Sequence, residues 1–349
     1  MFLRNYWYVA ALDEEVRERP LGRTILGEPV VLFRTGDGVL HALEDRCAHR
    51  QLPLSMGKVV GDVLQCHYHG LRFDGSGQCV RVPGQEHIPR NARLRTYPVV
   101  ERHRWIWIWM GDPALADPAQ ICDFHWIQDP EWGAKPAYLH VEANWQLVVD
   151  NLLDLTHLAF VHETTIGNMA LVEHAAVKVE RAPNNVLVTR WIIDQPAPPT
   201  FVKVGKFTTN VDRWQIIDYT PPAFLRLDVG ACPTGTGAPD GRRVGGIGMR
   251  NLNAITPETE TTAHYFWAQA HNFEPQNAEM TERVFQQIQT AFLEDVAVFT
   301  AQQRNISLRP DAPQVDINAD AGGMQARRIV DRLYREEQEA AAAHATAAE

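Results

Sequence analysis

The 349-residue sequence predicts an α+β protein with an N-terminal all-β domain and a C-terminal domain of mixed helices and strands. Three observations predict this class. Short apolar runs separated by turn residues fill the first third of the chain. A Pro- and Asp-rich stretch follows at Gly111–Pro118, and a helical apolar stripe lies near the C-terminal end. We therefore expect a first domain at residues 1–112, a linker at 113–135 and a second domain at 136–349.

The N-terminal domain is predicted to contain several short strands. Turn sequences such as Asp74-Gly75-Ser76-Gly77 separate them. The predicted strands are Val30–Arg34, Val39–Leu43, Val63–Cys66, Leu71–Phe73 and Arg104–Trp109. Residues 105–109 are apolar at every position, which predicts a strand buried on both faces.

The C-terminal domain is predicted to open and close with helices around a set of strands. A helical pattern covers Trp145–Phe160, and a second helix is predicted at Met280–Gln303. Between them, alternating apolar residues predict strands at Val186–Ile193, Arg213–Ile217, Phe224–Val229 and His264–Trp267.

Composition and charge exclude several classes of function. The chain has 33 basic and 43 acidic residues, a net charge of −10, and no basic run, so we expect no nucleic-acid partner. It also lacks an apolar run of about 18 residues and an N-terminal signal pattern, so we expect no membrane partner. Five cysteines without an export signal favour reduced thiols and a cytoplasmic location. A small molecule is the expected partner.

Two short motifs combine cysteine and histidine. Cys47 and His49 form a C-x-H motif, and after sixteen residues Cys66 and His69 form a C-x2-H motif. Each motif follows a predicted strand and enters a turn, so two loops could close on one metal centre. Zinc sites usually place both cysteines before both histidines, whereas two thiolates and two imidazoles are the ligands of a Rieske [2Fe–2S] centre. We call these four residues the Cys–His quartet.

A second group of polar residues interrupts the first predicted helix. Asn151, Asp154 and His157 are spaced by three, which would place them on one helix face. His162 is about 140° further round an ideal helix than His157, so one straight helix cannot direct both at one metal. We therefore predict a π-type bulge or a helix end between Leu158 and Val161.

Asp295 lies where the apolar stripe of the last predicted helix requires an apolar residue. A buried carboxylate there must be paired or bound to a metal. Its neighbour Glu294 projects about 100° away and is expected to be a solvated surface acid. Two histidines and one carboxylate form the facial triad of non-haem Fe(II) oxygenases. We call His157, His162 and Asp295 the iron triad, and taken singly each of these residues could equally be structural.

The motifs together resemble the Rieske oxygenases. The segments Cys47-Ala48-His49-Arg50 and Cys66-His67-Tyr68-His69-Gly70 match the two cluster boxes, and the D-x2-H-x4-H pattern beginning at Asp154 is similar to the iron box. The resemblance extends from Asn5 to Gly323. It is strongest to the terminal oxygenase components of the branch that includes toluenesulfonate methyl-monooxygenase and the vanillate and dicamba O-demethylases.

This resemblance implies a fold, cofactors and partners. The C-terminal domain would be a helix-grip fold, a curved antiparallel sheet around a helix, and the N-terminal domain would bind a [2Fe–2S] cluster through the quartet, with His67 not a ligand. The subunits would form a homotrimer in which Asp154 bridges His69 of one subunit and His157 of the next, with Asn151 near the iron. Electrons would come from NADH through a separate reductase, and dioxygen would be the oxidant.

The implied reaction is mono-oxygenation of a methyl or methoxy group on a substituted aromatic acid. Relatives of this branch tend to have Arg-Asn-Phe where this sequence has His271-Asn272-Phe273. His271 is therefore a candidate contact to an anionic substrate, although it could also be structural. Two alternatives remain open: cis-dihydroxylation of an aromatic ring, and an electron carrier or redox sensor that uses only the cluster.

Overall fold

The structure, a computed structural model, describes the backbone of residues 1–348 and the side chains of residues 1–343. It divides into two compact units. The N-terminal unit contains Phe2–Ile121 and Thr256–Thr259, and the C-terminal unit contains Met1, Cys122–Ile255 and the residues from Glu260 onward. The division after Ile121 falls inside the segment expected to be the linker, and the sequence did not reveal that Thr256–Thr259 join the first unit. The exact domain bounds stay a prediction.

The N-terminal unit is built from short antiparallel strands, as expected. Its sheets have the strand orders β1-β11-β10, β2-β3-β4-β9 and β5-β6-β7-β8. The strands are β1 (Trp7–Leu12), β2 (Leu21–Ile25), β3 (Glu28–Arg34), β4 (Leu40–Glu44), β5 (Lys58–Val60), β6 (Val63–Gln65), β7 (Arg72–Phe73), β8 (Cys79–Arg81), β9 (Thr96–Tyr97), β10 (Val99–Arg102) and β11 (Trp105–Trp109).

Strand β11 lies at the centre of its sheet. It pairs with β1 on one side and with β10 on the other. All five of its side chains are buried, which confirms the strand predicted to be covered on both faces. Such complete burial of three tryptophans makes this strand a main source of the unit's hydrophobic stability.

The C-terminal unit contains a seven-stranded sheet and a long helix, the predicted helix-grip arrangement. The strand order is β12-β18-β17-β16-β15-β14-β13. The strands are β12 (Gly133–Val141), β13 (Ala175–Ala182), β14 (Asn185–Gln195), β15 (Val211–Thr220), β16 (Phe224–Pro233), β17 (Ile247–Pro257) and β18 (Ala263–His271). The helices are α1 (Trp145–Leu153), α2 (Leu158–Val161), α3 (Ala170–Glu173), α4 (Pro199–Gly205), α5 (Ala278–Leu308) and α6 (Ala321–Ala348).

Helix α5 packs its apolar stripe against the sheet. Asn277 caps its first turn by accepting hydrogen bonds from the backbone N–H groups of residues 279 and 280. Phe285 stacks on Trp267 of β18 with ring centroids 4.9 Å apart, and Phe292 contacts the same indole edge-on. These aromatic contacts fix which face of α5 is directed toward the interior of the unit. Among the helices of the described residues, none is long and apolar enough to cross a membrane.

The helix predicted at Trp145–Phe160 is shorter in the structure. Helix α1 ends at Leu153, and Asp154 adopts an extended backbone with φ −118° and ψ 100°. A 3-10 turn at Leu155–His157 and the short helix α2 follow. The break at Asp154 was not expected, whereas the helix end predicted between Leu158 and Val161 is present at Val161, where α2 ends and His162 leaves the helical conformation. Asn151, Asp154 and His157 do not share the face of one helix.

Candidate metal centres

The two loops of the Cys–His quartet have the same backbone design. In each loop the cysteine N–H donates to the carbonyl five residues later, from Cys47 to Leu52 and from Cys66 to Leu71. The cysteine carbonyl accepts from the N–H four residues later, at Gln51 and Gly70. Both of these residues have a positive φ, 60° and 71°, which closes the turn. Two equivalent turns therefore present one cysteine and one histidine each.

The loops bring all four quartet side chains together. Both cysteines are buried, and the Cys66 thiol lies within hydrogen-bond reach of Cys47. The imidazoles of His49 and His69 lie with ring centroids 4.6 Å apart, and both are exposed. Two buried thiols on one side and two exposed imidazoles on the other match the donor set of a [2Fe–2S] cluster with two thiolates on one iron and two imidazoles on the second.

Burial also shapes the chemistry of the quartet thiols. It raises the pKa of the Cys47 thiol to about 11, and the adjacent Cys66 contributes to the same effect. Cys47 without a metal is therefore a protonated thiol at neutral pH. Metal binding would release that proton, because only a thiolate is a ligand.

The iron triad comes from three separate elements of the C-terminal unit. His157 ends the 3-10 turn, and His162 follows α2 with a non-helical backbone. Asp295 projects from the buried stripe of α5 and is 4% exposed. The break at Asp154 and the end of α2 turn both histidines toward the same carboxylate, which a straight helix could not do.

The triad atoms have the spacing of ligands around one metal ion. Asp295 Oδ1 lies 3.1 Å from His162 Nε2 and 3.5 Å from His157 Nε2. All three ligand atoms lie within 4.8 Å of one another. Two atoms bound at right angles by bonds of about 2.1 Å would be separated by about 3 Å, so the arrangement fits a facial triad. A two-histidine, one-carboxylate set is the donor chemistry expected for non-haem Fe(II).

The outer nitrogens of both triad imidazoles are held by hydrogen bonds. His157 Nδ1 donates to the Asp154 carbonyl at 2.7 Å, and His162 Nδ1 donates to Glu294 Oε2 at 2.6 Å. These bonds fix the tautomers that leave both Nε2 lone pairs free for a metal. The expectation that Glu294 is only a solvated surface acid was wrong. The long side chain reaches from α5 to the end of α2, a contact that the helix periodicity cannot show.

The two histidines have pKa shifts of opposite direction. Burial lowers the pKa of His157, and Asp295 only partly offsets this effect. Burial also acts against a charge on His162, but its hydrogen bonds to Asp295 and Glu294 outweigh burial and raise its pKa. Without a metal, His162 therefore binds a proton beside Asp295 more readily than an ordinary imidazole does. Bound iron would replace the proton between them as the partner of the carboxylate.

Asn151 and Asp154 occupy different positions around the triad. The Asn151 amide donates to Asp295 Oδ1 at 3.2 Å and lies 3.3 Å from His157 Nε2, which agrees with its expected place near the iron. The Asp154 carboxylate instead accepts from the Thr156 N–H at 2.8 Å and lies 3.6 Å from Arg190. The expected bond from the Asp154 carboxylate to His157 of one subunit is not formed, because the backbone carbonyl takes that nitrogen.

A cavity adjoins the triad on the side away from the outer hydrogen bonds. The triad and Asn151 form part of its wall. Most of the remaining wall is apolar, including Leu155, Leu158, Phe201, Met249, Ile288 and Phe292. Such walls suit an aromatic ring and exclude water from the space next to the iron triad.

The cavity also contains polar groups that the sequence analysis missed. Arg213 and Gln215 on β15, Asn251 on β17 and Gln269 on β18 all lie in its wall. The Asn251 amide donates to Gln269 Oε1 at 3.1 Å. Their signal in the sequence is weak but present, since Arg213 and Gln215 occupy alternate, inward positions of a strand that is otherwise apolar on that face.

His271, the candidate contact to an anionic substrate, lies among protein groups. It is fully buried and is absent from the cavity wall. Its Nδ1 donates to the Phe273 carbonyl at 2.7 Å, and its Nε2 accepts from the Thr281 hydroxyl at 2.9 Å. Burial lowers its pKa, so the ring is neutral at pH 7. His271 is a structural residue between the end of β18 and the start of α5.

The quartet in one unit and the triad in the other define an iron–sulfur oxygenase with a mononuclear iron site. Comparison with known proteins agrees with this class. Residues 6–98 match the Rieske [2Fe-2S] domain, and residues 141–336 match the vanillate O-demethylase oxygenase C-terminal domain. The chain belongs to this family of Rieske oxygenases.

The relatives are similar along the whole chain. The iron–sulfur subunit of the toluene-4-sulfonate monooxygenase system of Comamonas testosteroni is 48% identical, over 97% of this chain and 98% of its own length. The vanillate O-demethylase oxygenase subunit of a Pseudomonas strain is 38% identical, over 98% and 97%. Among solved structures, dicamba monooxygenase bound to 3,6-dichlorosalicylic acid superposes with a TM-score of 0.89 at 37% identity, over 97% of this chain and 99% of its own.

Proposed function

We propose that the chain is a terminal oxygenase component that mono-oxygenates the methyl or methoxy group of a substituted aromatic acid. The observation that carries this proposal is the iron triad, whose two imidazole nitrogens and one carboxylate oxygen converge beside a largely apolar cavity. The names of the relatives support this reaction. One is a subunit of a toluene-4-sulfonate monooxygenase system, and others are O-demethylase oxygenase components for vanillate and dicamba. An electron carrier or sensor would need neither the triad nor the cavity.

The residues of the cavity prepare the substrate for this chemistry. Apolar side chains such as Leu158 and Phe292 hold the ring and keep water away from the triad. When bound, the mononuclear iron supplies activation of dioxygen with electrons that the cluster delivers one at a time. Asn151, which donates to Asp295, holds that carboxylate in the orientation in which it would bind the metal.

The position of the attacked carbon decides the product. Hydroxylation of an aryl methyl group gives a benzyl alcohol. Hydroxylation of a methoxy group gives a hemiacetal, which collapses to a phenol and formaldehyde. Both outcomes use the same metal ligands, so the group that the cavity directs toward the triad determines which reaction occurs.

We also propose the partners that supply electrons. A separate NADH-dependent reductase would reduce the cluster, for which the exposed imidazole of His49 offers a contact. A head-to-tail homotrimer would bring the cluster of one subunit near the iron of the next. The second Asp154 oxygen makes no hydrogen bond within the described part of the chain, and it would be the acceptor for His69 of the neighbouring subunit. We propose a cytoplasmic location for the protein, because NADH is available there.

Single-turnover analysis tests the proposed function. Anaerobically purified protein is reduced chemically and exposed to dioxygen with equimolar 4-methylbenzenesulfonate, 4-methylbenzoate and vanillate, and products are identified by mass spectrometry. We expect a hydroxymethyl product or a demethylated phenol with formaldehyde. A cis-dihydrodiol would instead indicate ring dihydroxylation. Reoxidation of the cluster without any product would contradict the aromatic-acid substrate class.

The His157→Ala variant provides the control for an electron carrier. A carrier would exchange electrons with its partners at the rate of the unaltered protein, because the quartet is intact. An oxygenase would retain the cluster spectrum and lose product formation. Measuring both in one preparation separates the two classes.

A further inference from the structure

Arg213 is a buried cation in the wall of the cavity beside the iron triad. It lies on β15, is 4% exposed, and contributes to the same cavity wall as His157, His162 and Asp295. A guanidinium is costly to bury unless an anion or a full set of acceptors compensates it. The residues around Arg213 therefore decide whether its charge is balanced within the protein.

The structure gives Arg213 very little compensation. Only Nη2 has an acceptor, the Ile166 carbonyl at 3.0 Å, whereas Nε and Nη1 have no partner among the described residues. Within the same part of the chain no carboxylate pairs with it, and a second cation, Arg190, contributes to the lowering of its pKa. Burial lowers its pKa to about 9, which still leaves it protonated at pH 7.

The guanidinium is nevertheless held in a fixed place. Its central carbon lies 4.9 Å from the ring centre of Phe201, and the Ile166 carbonyl holds one edge. Phe201 and Ile166 are themselves cavity residues. The Nε and Nη1 donors thus remain for a group that enters the cavity. Nη2 carries a second N–H besides the one that Ile166 accepts, and with the neighbouring Nε or Nη1 donor it forms a two-donor edge that matches two oxygens of a carboxylate or sulfonate.

We propose that Arg213 binds the anionic group of the aromatic substrate and so sets its specificity. This inference rests on the proposed function, since it assigns a residue to the recognition of that substrate. The ligand class is an aryl carboxylate or aryl sulfonate. Gln215, two residues along the same strand face, has an unpartnered amide oxygen in the same wall, but this oxygen is an acceptor and cannot bind an anion, so the assignment rests on Arg213.

Binding measurements on the purified holoprotein without dioxygen test this assignment. Calorimetric titration compares 4-methylbenzenesulfonate and 4-methylbenzoate with the neutral 4-methylbenzenesulfonamide. The variants are Arg213→Met, which keeps the length of the side chain but removes the charge, and Arg213→Lys, which keeps the charge but loses the two-donor edge. Arg242→Met is the matched control, since the Arg242 side chain is 65% exposed.

We expect Arg213→Met to weaken the binding of both anions at least about thirtyfold. The binding of the sulfonamide should weaken less than about threefold. Arg213→Lys should fall between Arg213→Met and the unaltered protein. Equal losses for anionic and neutral ligands would overturn the proposal, because a structural arginine would affect all ligands alike. The two anions identify which oxyanion the site prefers, and a preference for either supports the assignment.

The proposal can be tested even if Arg213→Met does not fold, because the unaltered protein also gives a decisive comparison. The unaltered protein must itself bind 4-methylbenzenesulfonate at least about thirtyfold more tightly than the sulfonamide, and equal binding would overturn it. The proposed function fails separately. If anions bind through Arg213 but single turnover yields no oxygenated product, the binding assignment stands and the oxygenation does not.

Discussion

Replacing Glu294 by alanine should weaken iron binding without disturbing the fold. Glu294 Oε2 accepts from His162 Nδ1 at 2.6 Å, and its side chain is 33% exposed. A hydrogen bond to a carboxylate contributes about 1.5–3 kcal/mol, and partial exposure places this one toward the lower end. Removing such a partner of a metal-bound histidine typically costs 10–100-fold in metal affinity, which is about 1.4–2.8 kcal/mol. We expect Glu294→Ala to fall in that range.

The assay is anaerobic Fe(II) titration of protein whose mononuclear site has been emptied by a chelator, with the cluster absorbance as a check on the N-terminal unit. Glu279→Ala is the matched control, since Glu279 lies on the same helix and its side chain is 82% exposed. Glu294→Gln, which keeps an oxygen acceptor, should lose less affinity than the alanine variant. If Glu294→Ala binds Fe(II) as tightly as Glu279→Ala, the orienting role of Glu294 is refuted.

Three further predictions concern the core of the N-terminal unit and the two sites. Trp107→Ala should destabilise the N-terminal unit by about 3–5 kcal/mol in denaturant unfolding followed by cluster absorbance, because Trp107 is fully buried, whereas Leu115→Ala at an exposed position should change it by less than about 0.5 kcal/mol. Cys66→Ser should abolish the cluster spectrum while the iron bound by the triad remains, and retention of the spectrum would contradict the quartet. Asn151→Ala should weaken Fe(II) binding about tenfold, since Asp295 loses a hydrogen bond at 3.2 Å, and an unchanged affinity would contradict this role.

The sequence predicted those features that depend on local periodicity. Strand β11 could be located because every one of its residues is apolar, and Asp295 could be located because it interrupts a helical stripe. The two cysteines and two histidines could be grouped because their spacing within each loop is short. In these cases the local pattern already contains the physical constraint, namely burial on both faces, a buried charge or the reach of a turn.

Features that depend on contacts between distant segments could not be predicted. Glu294 is off the buried stripe of α5, and only the packing of α2 beside it brings the carboxylate to His162. His271 was expected to contact substrate, but the turn into α5 directs its ring to Phe273 and Thr281.

The helix break at Asp154 was also missed. It follows from an Asp that caps the next turn with its carboxylate, at 2.8 Å from the Thr156 N–H. Asp commonly caps a helical turn in this way, but the apolar residues on either side of it continue the helical pattern, so periodicity alone favoured one unbroken helix.

The most direct test of the central claim is single turnover with isotopically labelled dioxygen. Reduced protein is exposed to ¹⁸O₂ in the presence of whichever substrate gives product, and the label in that product is measured by mass spectrometry. We predict one ¹⁸O atom in the benzyl alcohol formed from an aryl methyl group, or an unlabelled phenol from a methoxy group because the new oxygen leaves with formaldehyde. We predict no product from His157→Ala with its cluster intact. Two ¹⁸O atoms in the product, or full product formation by His157→Ala, would contradict a mono-oxygenase that depends on the iron triad.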